Sequence, residues 1–222
     1  MIALRKHPNP SGVVASYLDM NLAMGSAISS DAAKRHYVLK SNNLKEPFPE
    51  HLEKIWFGCG CFWGTEKGFW RLPGVYSTAV GYCGGNVDVP TYRQVCSGQT
   101  GHCEVTQVVF DPALISVTDL LKRMWESHDP TQGNRQGGDV GTQYRSAIYT
   151  EKEDHLALAI ASKNAYNVVL SSAGFPKITT EISMQPRFYY AELYVESLLC
   201  SIPVFMSNNF SFSLFADIIN NI

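Results

Sequence analysis

The sequence predicts an α+β fold, with helices packed on a largely mixed sheet. Three observations lead there. Helical and strand patterns are interleaved without a strict strand–helix–strand rhythm. The stretch Cys103 to Phe110 alternates with period two, as a strand does. Two longer stretches, Ser116 to Trp125 and Lys152 to Leu170, repeat apolar residues at helical spacing. No internal repeat occurs, and 222 residues are enough for one sizeable core.

Taken in order, residues 1–52 are weakly patterned. They carry Pro8, Pro10, Gly12, the small and polar run Gly25 to Ser30, then Pro47 and Pro49. A weakly structured extension is expected, with a short helix near Val13 to Met24. Arg5 and Lys6 favour a mitochondrial presequence, whereas Asp19 and Asp31 oppose it. The core begins near Lys54. Ile55-Trp56-Phe57 reads as a strand, Gly58 to Gly60 as a tight turn, and the segment from Cys61 to Trp70 as a helix. Gly74 to Tyr82 is β-rich and is ended by Gly84-Gly85. Pro90 to Gly98 reads as one helical turn or a structured loop, since Pro suits a first helical position.

In the strand Cys103 to Phe110, Cys103, Val105, Gln107 and Val109 take one face. Glu104, Thr106, Val108 and Phe110 take the other. Ser116 caps the next helix with Asp119 three residues on, and Val117, Leu120, Leu121, Met124 and Trp125 form its stripe. The polar run His128 to Gln143 is a long loop, which inside a compact domain points to function or disorder. It leads into a strand, Tyr144 to Tyr149. A helix over Lys152 to Leu170 follows, with Leu156, Ala159, Ile160, Tyr166, Val169 and Leu170 in register and Gly174 at its end. Ile178 to Ile182 reads as a last strand and Phe188 to Leu199 as a helix.

Composition excludes some classes. The net charge of −2 and the scattered basic residues give no footprint for nucleic acid. No apolar run is long enough to span a membrane. Six cysteines occur, five of them between Cys59 and Cys103. The chain is large enough to fold without disulfides, and no secretory leader is visible, so free thiols in a reducing compartment are expected. That places it in the cytoplasm, with the mitochondrion as the alternative. Cys59-x-Cys61 has no second paired knuckle, so no metal site is expected. A monomer is expected.

The stretch Gly58-Cys59-Gly60-Cys61-Phe62-Trp63-Gly64 concentrates the chemistry. A thiol at a helix start lies beside unpaired backbone N–H groups and the positive end of the helix dipole, which favour thiolate. Cys61 is therefore a candidate nucleophile with an apolar surface, Phe62 and Trp63, attached. The alternative is a buried structural cysteine. Glu104, among apolar neighbours on its strand face, is a candidate proton donor with a raised pKa; the alternative is a surface-paired carboxylate. Tyr92 and Tyr144 offer phenolic O–H groups to an oxygen, or simply pack. His102 beside Cys103 suits a hydrolase dyad poorly, because Cys103 lies within an alternating strand.

The pattern resembles the peptide methionine sulfoxide reductase A family. The resemblance rests on Gly60-Cys61-Phe62-Trp63-Gly64, Gly81-Tyr82-Cys83-Gly84-Gly85, Pro90-Thr91-Tyr92, Val95-Cys96-Ser97-Gly98, Thr100-Gly101-His102 and Glu104. It continues through His128 to Gln132, Asn134 to Gly137, Asp139, Gly141 to Ser146, and Phe188 to Glu192. It implies a two-layer sandwich built on a ferredoxin-like sheet. It also implies an enzyme that reduces the S epimer of methionine sulfoxide, free or in proteins, and so repairs oxidative damage. By position, Cys61 attacks the sulfoxide sulfur and becomes a sulfenic acid. Glu104 protonates the oxygen, Tyr92 and Tyr144 hydrogen-bond it, Phe62 and Trp63 hold the methyl group, and Asp139 helps arrange the site. The polar loop becomes an active-site wall. No cofactor is bound; thioredoxin or another thiol supplies electrons.

After Glu192 the sequence departs from the family pattern. In place of a glycine-rich tail with a recycling cysteine it runs through Cys200 and Pro203 to an apolar end, with no glycine after Gly174. Three parts are thus expected: an extension over 1–52, a catalytic domain over 53–192 and a divergent tail over 193–222. Cys200 is the downstream candidate for the resolving thiol, with Cys59, Cys83, Cys96 and Cys103 as upstream alternatives. The competing reading is an altered isoform that binds or turns over once but does not recycle.

Overall fold

In a computed structural model, residues 36, 38–39, 42–184 and 187–192 are described. The expected helix near Val13 to Met24, the tail from residue 193 and Cys200 lie outside them.

Strand β1 (Glu53–Cys59) leads through a glycine turn into helix α1 (Phe62–Phe69) and then β2 (Val75–Cys83). A short helix α2 (Tyr92–Cys96) precedes β3 (Cys103–Phe110) and α3 (Val117–Ser127). The polar loop contains a small hairpin, β4 (Arg135–Gln136) and β5 (Asp139–Val140), followed by a 3-10 turn, Thr142–Tyr144. Then come β6 (Ser146–Thr150), α4 (Glu153–Ser172), β7 (Glu181–Met184) and β8 (Tyr189–Tyr190).

Six strands form one sheet in the order β7-β6-β1-β3-β2-β8. The β6–β7 pair is parallel and the others are antiparallel, so the sheet is mixed as expected. Its centre, β6-β1-β3-β2, is made by β1-α1-β2 and β3-α3-β6, the split arrangement of a ferredoxin-like sheet. Every residue of β3 is buried, because both faces of the central strand are covered. On one face Ile55, Phe57, Val108 and Phe110 pack with Leu120, Leu121, Met124 and Trp125 of α3 and with Ala159, Tyr166 and Leu170 of α4. On the other, Trp56, Cys83, Cys103, Val105, Ala147 and Tyr149 pack together, with Phe188 over them.

Helix α3 starts as expected. Ser116 accepts from the Asp119 amide, and the Asp119 carboxylate accepts from Ser116 in return. In α4 the buried stripe is His155, Ala159, Ser162, Tyr166 and Leu170. Ile160 is one residue off that stripe and is exposed, so the expected register is corrected at that position. A second correction concerns Phe188 to Leu199. Tyr189 and Tyr190 form an edge strand, not a helix, pairing with Tyr82 and Gly81 of β2. Local apolar spacing suits either form; the open edge of β2 decides it.

The late part of the expected extension is bound to the domain. His36 Nδ1 accepts the N–H groups of Val38 and Leu39 at 3.1 and 2.8 Å, so its proton is on Nε2. That N–H donates to Thr78 Oγ1 at 2.8 Å, and the Thr78 hydroxyl donates to Glu66 of α1 at 2.9 Å.

Candidate active site

The turn before α1 requires Gly60. Its φ is +87°, and a Cβ there would lie 2.6 Å from Gln136 Cβ. The polar loop therefore closes directly on the turn that presents Cys61. That loop is built, not loose. Gln136 accepts the Asp129 N–H and donates to the Asp129 carbonyl, while Asp129 holds Thr131 and Gln132. His128 anchors its start, donating from Nδ1 to the Met124 carbonyl at 2.9 Å and accepting from Ser146 at 2.7 Å.

Cys61 is the N-cap residue of α1, half-buried, with no side-chain cap of its own. The amides of Trp63 and Gly64 point at its sulfur and favour the thiolate. Burial opposes them more strongly, joined by the negative charges of Glu104 and Asp139, and the thiol is pushed well above its ordinary range. The helix-start amides thus favour the thiolate as expected, but burial decides the net direction. Desolvation outweighs two amides and the helix dipole.

Glu104 lies under the same helix start. Its side chain is 1% exposed, and its Oε2 accepts the Phe62 N–H at 3.2 Å. Burial raises its carboxyl to about 8, the Asp139 charge adds to this, and the Phe62 amide pulls the other way. It is not a surface-paired carboxylate.

Tyr92 is the first residue of α2, which Thr91 and Gln94 close with a reciprocal capping box. Its hydroxyl is pushed up by burial, then by Cys96, Glu104 and Tyr144, and it shares a hydrogen bond with the Cys96 thiol. Tyr144, in the 3-10 turn, is pushed up by burial and then by Glu104, Cys96, Cys61 and Asp139. Asp139 sits on the exposed hairpin, its carboxyl raised by partial burial. Glu104 therefore lies within electrostatic reach of each of the other expected residues, Cys61, Tyr92, Asp139 and Tyr144. Phe62 is fully buried with its ring 6.0 Å from that of Tyr82. Trp63 and Tyr92 pack against the same small cluster of Phe62, Val80, Tyr82, Val95 and Ala191. The Trp63 indole N–H is buried and has no hydrogen-bond partner among the described residues.

Cys59, Cys83 and Cys103 are buried, whereas Cys96 is exposed. Among the described residues, no cluster of His, Cys, Asp or Glu is arranged to hold a metal ion, and no helix is long and apolar enough to cross a membrane.

Glu66 escaped the sequence reading. Phe62, Thr65, Glu66 and Phe69 are the buried face of α1, so helical spacing alone points Glu66 inward. In the sequence Glu192 marks only the end of the motif Phe188 to Glu192. Its carboxylate joins α2 to β2, a link with no local signal.

A family model described as peptide methionine sulfoxide reductase matches residues 53–207. A peptide methionine sulfoxide reductase of Nostoc sp. is 61% identical over 168 residues, 76% of this chain and 75% of that protein. The mitochondrial peptide methionine sulfoxide reductase of Bos taurus is 54% identical over 172 residues, 78% of this chain and 73% of that one. Among solved structures, methionine sulfoxide reductase A of Corynebacterium diphtheriae aligns with a TM-score of 0.71 at 37% identity, covering 82% of this chain and 93% of its own.

Proposed function

The chain belongs to the peptide methionine sulfoxide reductase family, and we propose from that premise that it reduces the S epimer of methionine sulfoxide through an acid-assisted attack by Cys61. It is an oxidoreductase of the peptide-methionine (S)-S-oxide reductase class.

The observation that carries the mechanism is Glu104, fully buried beside Cys61 with its carboxyl raised to about 8. A sulfoxide oxygen is a poor leaving group until it is protonated, and a carboxylic acid that keeps its proton at neutral pH can supply one. Phe62 and Trp63 receive the methyl group, while the Tyr92 and Tyr144 hydroxyls hydrogen-bond the oxygen as charge develops on it. Cys61 loses its proton and its sulfur attacks the sulfoxide sulfur, as the Glu104 proton passes to the oxygen. The hydroxyl then transfers to Cys61. Methionine leaves reduced by two electrons, and Cys61 is left as a sulfenic acid, oxidised by two. The proton that Cys61 released restores Glu104. Asp139, on the hairpin of the polar loop, helps arrange the site.

Recycling requires two further thiol equivalents, which carry off the sulfenic oxygen as water and end as a disulfide. Thioredoxin or a small dithiol is the donor, with Cys200 as the first protein thiol to form the disulfide. The substrates are free methionine sulfoxide and oxidised proteins.

The test is methionine formation from an (S)-sulfoxide, first in single turnover and then with dithiothreitol or thioredoxin. The wild type should give about one methionine per chain without reductant and Cys61→Ser none. No product from the wild type rejects the reading. Loss of thioredoxin-driven turnover in Cys200→Ser, with single turnover intact, would establish Cys200 as the resolving thiol; unchanged turnover would reject it.

A further inference from the structure

We propose that Glu192 is a positioning residue of the active site, fixing Tyr92 and Phe62 where the sulfoxide is held. The inference rests on the reductase reading above.

The chain reaches Glu192 along an edge of the sheet. Tyr189 and Tyr190 pair with β2, and the Ala191 N–H continues the pairing by donating to the Val80 carbonyl at 2.9 Å. Glu192, one residue on, delivers a carboxylate whose two oxygens take different partners. Oε1 accepts the Tyr92 backbone N–H at 2.9 Å. Oε2 accepts the Tyr82 hydroxyl at 3.2 Å.

Each partner matters to the site. The Tyr92 N–H belongs to the first residue of α2, one of the helix-start donors that has no partner within its own helix. Helix α2 has five residues, too short to hold its own position. Its capping box joins Thr91 and Gln94 only to each other. By contrast, the Glu192 bond ties the residue carrying the phenol to the sheet. Tyr82 is fully buried, lies opposite Glu104 in the β2–β3 register and packs on Phe62. One carboxylate thus bridges the backbone of the oxygen-binding Tyr92 and the side chain behind the methyl-binding Phe62. Glu192 itself touches no reacting atom. It acts by placing a hydroxyl to within the tolerance that an oxygen acceptor requires, where small displacements cost rate steeply.

The test is the rate constant of methionine formation in single turnover by the full chain. Glu192→Ala should slow it by about ten- to a hundredfold, the loss expected for one charge-assisted hydrogen bond or a modest displacement. KM should change by less than about threefold, because the bonds act on orientation more than on ground-state binding. Glu192→Gln keeps an acceptor for the Tyr92 N–H and a polar partner for Tyr82, and should recover most of the rate. In a Tyr92→Phe background, Glu192→Ala should cost much less, since the hydroxyl being placed is already gone. A merely structural role would instead give the same penalty in both backgrounds. Wild-type rates in Glu192→Ala, no recovery in Glu192→Gln, or an unchanged penalty beside Tyr92→Phe would each overturn the proposal. If Glu192→Ala does not fold, Tyr82→Phe, which removes one of the two bonds to the carboxylate, carries the same comparison. A wild-type chain that forms no methionine would reject the reductase reading instead, and that outcome is separate.

Discussion

Glu104 and Cys61 cannot be assigned protons independently, because the Glu104 charge raises the Cys61 thiol and such an interaction is mutual. The proposed attack needs the thiol ionised and the acid protonated, which is one proton on the pair. Below about pH 8, the value to which burial raises Glu104, the pair holds two protons. The single-turnover rate should then rise about tenfold per pH unit, as thiolate is formed. Above that point further thiolate is gained only as the acid is lost, so the rate should level. Glu104→Gln removes the acid and should lower the rate by roughly 10²- to 10⁴-fold. It should also remove the plateau near pH 8, so the remaining rate keeps rising until Cys61 itself has ionised. A Glu104→Gln profile that still levels near pH 8 would assign the break to another group. Glu104 was legible as an acid, because the alternation of Cys103 to Phe110 puts it on the face of Val108 and Phe110. The ionisation of Cys61 was not. The sequence displays the helix start that favours thiolate but not the depth of cover over it.

At the level of elements, the candidate site is assembled by strands and turns that meet at the start of α1. The edge strand β8 is the least conspicuous in sequence and is only two residues long. Gly81 of β2 faces it. A Cβ at Gly81 would lie 2.3 Å from the Tyr189 carbonyl oxygen and 2.5 Å from the Phe188 ring. Backbone cannot yield as a flexible side chain does, so Gly81→Ala should push β8 off the sheet. The expected cost is about 1–3 kcal/mol of stability, the usual range for overpacking. The single-turnover rate should fall as well, because Glu192 moves with the strand; equal rates and equal thermal midpoints would reject the coupling. The elements that the sequence announced, α3 with its Ser116–Asp119 box and β3 with its alternation, are those whose signals are local. The identity of β8 depended on an unpaired edge supplied by residues about a hundred positions earlier. The loop His128 to Gln143 read as one long polar segment, because the bonds from Asp129 to Gln136 that stiffen it join side chains to backbone and leave no periodic trace.

Among the described residues, four buried groups, His36, His128, Glu66 and Glu104, are shifted far enough to move stability between about pH 4 and 8, and they act in opposite directions. Burial lowers His36 and His128 to about 4 from 6.5. The unfolded chain takes up their protons first, so their contribution is complete above about 6.5 and is lost as pH falls towards 4. Burial raises Glu66 to about 7 and Glu104 to about 8, from 4.5. Here the folded chain keeps its protons longer. Their contribution is complete below 4.5 and is lost as pH rises through 7 and 8. Between 4.5 and 6.5 the two pairs offset each other, and above 6.5 the glutamates act alone. Stability measured by denaturant unfolding should therefore be greatest in the mildly acidic range and fall by roughly 2–3 kcal/mol from pH 6.5 to 8. Most of that fall belongs to Glu104, whose window extends furthest, so Glu104→Gln should flatten the curve more than Glu66→Gln. A stability that stays level or rises over this interval would mean that Glu104 is ionised at neutral pH, and would remove the proton donor from the proposed reaction.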